Sequence, residues 1–260
     1  MSAEAASTSA SRGIESANYI NHHVMEVGHS FFGIPLPHGI YAQHVAIVVS
    51  ALLVITAFCL LYKKKARVPH GFTHMLEVLV VFIRDEVVCA NMGKEEGRKW
   101  TPYFLTLFFF ILVMNLIGLI PNGCAATGHI AVTSALALCT FFFMTFFAIA
   151  KNGIKQFFHA FLPSGVPGFI LPGIFVIEFM GVFVKSFALA VRLFANMMGG
   201  HIALFVFISL VHTFGLMVAP LSGPLSIALY GLETGVAFLQ AYVFTLLSVI
   251  FIQQVLHPEH

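Results

Sequence analysis

The chain has 260 residues, of which 59% are hydrophobic and 9% charged, with a mean hydropathy of +0.93. A soluble domain carries about a quarter charged residues, so this composition excludes one and indicates a polytopic membrane protein. The net charge of +2, with basic residues in short clusters beside apolar spans, implies no nucleic-acid partner and reports orientation in a bilayer.

Residues 1–40 are polar and then rich in Gly and Pro (Gly33, Pro35, Pro37, Gly39), and they read as an exposed, weakly structured N-terminal segment. They lack a basic stretch followed by an apolar one, so no cleaved secretory signal is expected. His22, His23, His29 and His38 have no carboxylate or thiol support and read as surface histidines. Cys59, Cys89, Cys124 and Cys139 form neither a disulfide framework nor a CxxC metal site. No metal or cofactor is expected; a haem would need axial histidines on facing helices, whereas His201 and His212 share one.

The membrane domain, 41–260, begins with an apolar run over 41–62 that is long enough to cross a hydrocarbon core of about 30 Å as a helix. Lys63, Lys64, Lys65 and Arg67 follow at once, which places that end in the cytoplasm or its equivalent and the N-terminus outside. Over 71–99, Phe72, Met75, Leu76, Leu79, Ile83 and Val87 recur at helical spacing with Glu77, Arg84, Asp85 and Glu86 on other faces. An amphipathic helix on the inner surface fits that pattern.

The second span, 102–121, returns outward with Asn115 as its one strongly polar side chain. Asn115 serves either as an interhelical hydrogen bond or as part of a polar path. The loop PNGCAATGH holds no Lys or Arg, as an outer loop should, and the third span, 130–150, ends inside at Lys151 and Lys155. HAFLPSGVPG then separates the front half from the back half.

From Gly173 to Val218 a continuous helix would extend roughly 69 Å, more than twice the hydrocarbon core. The fourth pass, 169–219, must therefore tilt or bend, and so must the fifth, 225–256. The expected fold is all-α, with five membrane-embedded passes that include a long tilted antiparallel hairpin, plus the inner-surface helix.

The fourth pass carries Lys185, Arg192, Asn196 and His201 inside an apolar run. A charged side chain at mid-bilayer costs about 2.5–3.5 kcal/mol on insertion scales, so such an Arg marks a functional site by default. At about 100° per residue, Glu178, Lys185, Arg192, Asn196 and Gly199 share one face, a polar and small stripe that can accept a close neighbour. His201 lies about 13 Å beyond Arg192 and on the opposite face, and Glu178 about 21 Å back the other way.

On the fifth pass Glu233 and Gln240 share a face about two turns apart. If the hairpin sets Gln240 level with Arg192, Glu233 comes within about 3 Å of the level of His201. An imidazole beside a partly buried carboxylate can relay protons. An arginine guanidinium instead acts as a fixed cation that repels passing cations and attracts a carboxylate presented by a neighbour.

VRLFANMMGGH, the NLIGLIP end of the second span, YINHH near the N-terminus and the Glu233/Gln240 spacing together resemble subunit a of the F-type ATP synthase family, over most of residues 18 to 257. The resemblance implies that Arg192 is the family's essential arginine, facing the rotating ring of c subunits, with Gln240 as its polar neighbour. Asn196 and Asn115 match family polar positions, Glu178 the carboxylate toward the inner half-channel, and His201 with Glu233 the outer half-channel pair. Some bacterial members carry Glu first and His second; this chain has the order familiar from mitochondrial members. Gly118 and Ala188 stand where some relatives are polar.

The function expected from that resemblance is a proton-translocating stator subunit with two offset half-channels separated by Arg192, which performs no covalent chemistry itself. Its partners would be the c-ring, the peripheral-stalk b subunits and the lipid bilayer. Its place would be a bacterial inner membrane or, alternatively, the mitochondrial one, with the C-terminus inside. A secondary ion transporter is the alternative function, but it would normally show internal repeats with interrupted helices, and none is found.

Overall fold

A computed structural model describes residues 30–31, 34–36, 41–61, 71–120, 126–159, 171–214 and 219–256. Outside the described residues lie the histidines at 22, 23, 29 and 38, the basic cluster from Lys63 to Arg67, the loop residue Cys124 and the connector 160–170. The side chains of Lys151, Lys155, Glu178 and His212 also fall outside them.

The described chain is helical apart from one small ribbon. In it β1 (Ser30–Phe31) pairs antiparallel with β2 (Ile34–Pro35), Ser30 opposite Pro35 and Phe31 opposite Ile34. The helices are α1 (Ala42–Thr56), α2 (Phe72–Phe82), α3 (Ala90–Met92), α4 (Lys94–Leu119), α5 (Ile130–His159), α6 (Leu171–Phe214) and α7 (Ala219–Leu256). Wider π-helical turns, Ala57–Leu61 and Ile83–Cys89, continue α1 and α2.

Among the described residues five helices are long and apolar enough to cross a membrane, over Ala42–Cys59, Lys94–Leu119, Ile130–Phe147, Phe183–Phe207 and Ser222–Gln254. At 44 and 38 residues, α6 and α7 would extend roughly 66 and 57 Å, so both overrun the hydrocarbon core, as expected from the sequence. The last helix starts earlier than expected, at Ala219 rather than 225. Pro220 lies in its first turn, where a missing N–H removes no intrahelical bond, and Pro224 removes one.

Between residues 71 and 99 the chain turns at Gly93, where φ is 78° and ψ 163°. That backbone region is essentially restricted to glycine. Gly93 ends one helix by donating its N–H to the Cys89 carbonyl at 3.0 Å and starts the next by accepting from Gly97 N–H at 2.9 Å. The residues from Lys94 to Lys99 therefore form the first turns of α4 rather than the tail of a surface helix. Glu95 and Glu96 sit in that first turn, where the helix dipole favours negative charge. Gly153 repeats this conformation and breaks α5.

A Cβ on Gly93 would meet nothing within 4 Å, so Gly93→Ala carries only the backbone penalty. It is expected to destabilise the chain by about 1–3 kcal/mol. The midpoint of thermal unfolding in detergent measures this, and an unchanged midpoint would show that the elbow has another basis.

The chain divides into two compact units. One comprises Ala51–Val113, Ile130–Leu193 and Gln240–His260. In it Tyr103 stacks on Phe143 with ring centroids 4.5 Å apart, and Trp100 meets Phe147 edge-on at 5.4 Å. A step back along α4 is thus a step forward along α5, so the two run antiparallel. Trp100 and Tyr103 follow Arg98 and Lys99, the aromatic and basic signature of a membrane–water boundary. Phe58 packs edge-on against Phe109, and Phe104, Ile111, Phe244 and Ile83 are fully buried.

The other unit comprises Met1–Ser50, Met114–His129 and Phe194–Leu239. Its core joins the end of α4 to α6 and α7 through Leu119, Met197 and Ala237, with Leu116 against them. Hydroxyls along the apolar helices bond back to the preceding turn, as Ser50 does to the Ala46 carbonyl at 2.7 Å and Thr245 to that of Ala241 at 2.9 Å. In hydrocarbon no water can satisfy them.

Candidate functional site

Glu233 is 5% exposed, on α7. A carboxylate so placed needs a counter-charge, since burying an unpaired ion is costly. His201 on α6 can supply one when protonated, with its Nδ1 3.4 Å from Glu233 Oε1. Among the described residues neither Glu233 oxygen has a hydrogen-bond partner, and the group paired with it can itself hold or give up a proton.

Gly200 makes this approach possible. A Cβ at that position would run into Oε1, Cδ and Cγ of Glu233. A Cβ at Gly199 would meet nothing within 4 Å. The small residue that admits the neighbouring helix is therefore Gly200, whereas the sequence-based stripe contained Gly199. Met197 and Ala237 share the same core, and His201 meets Glu233. Four residues forward on α6 are four back on α7, an antiparallel register that agrees with the level expected for the His/Glu pair.

The imidazole of His201 is held from a third helix. Its Nε2 lies 2.9 Å from the Gly118 carbonyl and its Nδ1 3.0 Å from that of Met197. Gly118 and Leu119 close α4, and the last carbonyls of a helix have no intrahelical partner. His201 caps the first of them, and the Tyr230 hydroxyl caps the second by donating to the Leu119 carbonyl at 3.0 Å. Asn115, 1% exposed, donates its side-chain N–H to the Ala237 carbonyl at 3.3 Å. Of its two anticipated roles, the interhelical bond is the one observed.

Arg192 is exposed on the surface of α6, and no described residue forms an ion pair with it. Lys185 places Nζ 5.6 Å above the Phe251 ring, within cation–π range. Gln240 is 3% exposed on α7, and Asn196 is exposed on α6. His201, Glu233, Asn115 and Asn196 belong to one compact unit, whereas Arg192, Lys185 and Gln240 belong to the other. Glu178 lies on α6.

Sequence reasoning missed Tyr230 and the Gly118 carbonyl. A backbone carbonyl has no signature in a sequence. The one available signal was a tyrosine within an apolar span, about one helical turn before a carboxylate.

The family model described as ATP synthase A chain matches residues 44–253. Subunit a of ATP synthase from Myxococcus xanthus is 45% identical over 204 residues, 77% of this chain and 67% of that protein. The Bradyrhizobium diazoefficiens protein of the same name is 42% identical over 200 residues, covering 74% of this chain and 79% of its own length. In Anaeromyxobacter dehalogenans the match is 42% over 207 residues, but it spans only 54% of the relative. A family match over residues 44–253, which takes in apolar helices long enough to cross a membrane, together with relatives of this likeness, admits one conclusion: the chain is a multi-pass membrane protein that belongs to the ATP synthase A chain family.

Proposed function

We propose that this chain is the proton-translocating stator subunit of an F-type ATP synthase, without covalent chemistry of its own. The observation that carries the reading is the pairing of half-buried His201 with buried Glu233, closed in by Gly200 and seated on the open carbonyl end of α4. Protons reach this pair from the outer side, pass to a carboxylate on a rotating c-ring, and leave through an inner half-channel near Glu178. Arg192, exposed on the same helix, faces the ring as the fixed cation between the two routes, and its counter-charge is the ring carboxylate. Gln240, Asn196 and Asn115 line or brace the path, and Lys185 belongs to the inner half. Peripheral-stalk b subunits hold the chain against the turning ring.

If His201 and Glu233 form one relay, their composition matters more than their order. His201→Glu alone sets two carboxylates together and traps a proton between them; Glu233→His alone sets two imidazoles that resist charging together. Each single change is expected to slow ATP-driven acidification of inverted vesicles by about a hundredfold or more, the lower end of general acid–base assistance. The double exchange restores one acid and one imidazole and is expected to recover part of the rate. Additive defects in the double variant, with assembly intact on immunoblots, would sink the relay.

The proposed orientation, N-terminus outside and C-terminus in the cytoplasm of a bacterial cell, rests on the distribution of Lys and Arg. An impermeant thiol reagent is expected to label Cys124 in intact cells, and Cys89 only after permeabilisation. The reverse order would invert the topology.

A further inference from the structure

The two ring nitrogens of His201 face unlike surroundings. A carbonyl oxygen only accepts hydrogen bonds, so contacts of 3.0 Å from Nδ1 to Met197 and 2.9 Å from Nε2 to Gly118 both require N–H donors. A ring protonated on both nitrogens would donate to both carbonyls, with the Glu233 carboxylate 3.4 Å from Nδ1. Once it passes a proton to Glu233, one of those donors is lost, and the cost differs between them.

If Nε2 were stripped, its lone pair would point at the Gly118 carbonyl, at the end of α4 where no helical N–H can replace the lost donor. If Nδ1 is stripped, the newly formed Glu233 O–H stands 3.4 Å away and can turn to donate to it. Met197, inside α6, keeps the backbone N–H donor that every interior helical carbonyl has.

We propose that the carbonyl end of α4 acts as a template for the relay: Gly118 holds Nε2–H throughout, Nδ1 alone exchanges the proton with Glu233, and Tyr230 is a positioning residue that fixes this end. The proposal rests on the relay reading given above. In the step itself the Nδ1–H bond breaks, its electron pair stays on Nδ1, and an O–H bond forms on Glu233. Imidazolium and carboxylate become two neutral groups, and no other reactant is required. Tyr230 lies about one turn before Glu233 on α7. The helix that presents the carboxylate is thus the one whose hydroxyl clamps the Leu119 carbonyl, adjacent to the carbonyl that orients the ring.

The test uses the assembled complex in vesicles, with Nδ1-methylhistidine incorporated at position 201. That analogue leaves Nε2 free to donate to Gly118 and blocks Nδ1. It is expected to abolish ATP-driven acidification, as His201→Ala does. In the unmodified complex, ring-labelled His201 is expected to show the nitrogen resonance pattern of the Nε2–H tautomer when neutral. Tyr230→Phe removes one hydroxyl; it is expected to slow pumping by about threefold to tenfold, the scale of one hydrogen bond, and to mix the two tautomers. A loss of folding alone would not mix them.

Pumping at the normal rate with Nδ1-methylhistidine, while His201→Ala stops it, would overturn the assignment and leave the relay standing. A neutral ring carrying Nδ1–H, or Tyr230→Phe that changes neither rate nor tautomer, would overturn it as well. Normal pumping by His201→Ala would instead remove the relay itself.

Discussion

Inverted vesicles carrying Arg192→Ala are expected to acidify no faster than background during ATP hydrolysis, while their passive proton leak rises. Arg192 has no ion-pair partner among the described residues, and it is exposed on α6. A guanidinium held in a membrane raises the energy of any cation passing it, and its insertion cost of about 2.5–3.5 kcal/mol indicates the scale of interaction at stake. Removing a barrier of that size speeds leakage by roughly 70-fold to 400-fold. Arg192→Lys is also expected to fail in coupling, because a lysine presents no planar fork to a ring carboxylate and can lose its proton where water is scarce. Leak is measured as collapse of an imposed proton gradient with the ATPase idle. Normal pumping in either variant would take Arg192 out of the centre of the mechanism.

Gly200→Ala is expected to assemble and yet stop proton uptake. The added methyl would overlap Oε1, Cδ and Cγ of Glu233. Those atoms belong to a side chain that can rotate, so the helices can stay packed while the carboxylate leaves His201. Overpacking of this kind costs about 1–3 kcal/mol, and a carboxylate turned away no longer meets Nδ1, so acidification is expected to fall by about tenfold or more. Adding Glu233→Asp shortens the acid by one methylene and reduces the overlap. The pair Gly200→Ala with Glu233→Asp is expected to pump better than Gly200→Ala alone. Wild-type pumping by Gly200→Ala would show that α6 and α7 do not approach as closely as the Glu233 contact requires.

Much of this site could be read from residues. Two apolar runs, a helical rise and one assumed register suffice to bring Glu233 level with His201, because axial position along a helix depends on residue number alone. Rotation about the axis is different. A straight wheel placed Gly199 in the stripe with Arg192, but which glycine meets Glu233 depends on where α7 sits around α6, and no spacing encodes that. Tyr230 and Gly118 were hidden for a related reason, since the acceptor in each contact is a backbone carbonyl.

The elbow at Gly93 was concealed by charge. Lys94, Glu95, Glu96, Arg98 and Lys99 read as the continuation of a surface helix, although they are the solvent-facing start of α4. Only the backbone at Gly93 separates the two readings, and a lone glycine between polar residues is too common a signal to decide it. The widened turn over Ile83–Cys89 likewise follows no residue pattern.

Trp100 has a practical use that its packing makes available. It is the chain's single tryptophan, and its ring neighbours are Tyr103, Phe104 and Phe147, none of which handles protons in the mechanism proposed above. Intrinsic tryptophan emission from the purified chain therefore comes from one corner, where the start of α4 meets α5. Its colour and polarisation report whether that corner is formed and shielded from water. Variants at His201, Glu233, Gly200 or Tyr230 can be sorted by this optical signal before any transport assay: those with unchanged emission have kept the α4–α5 corner, so a silent vesicle made from them has lost chemistry rather than architecture there.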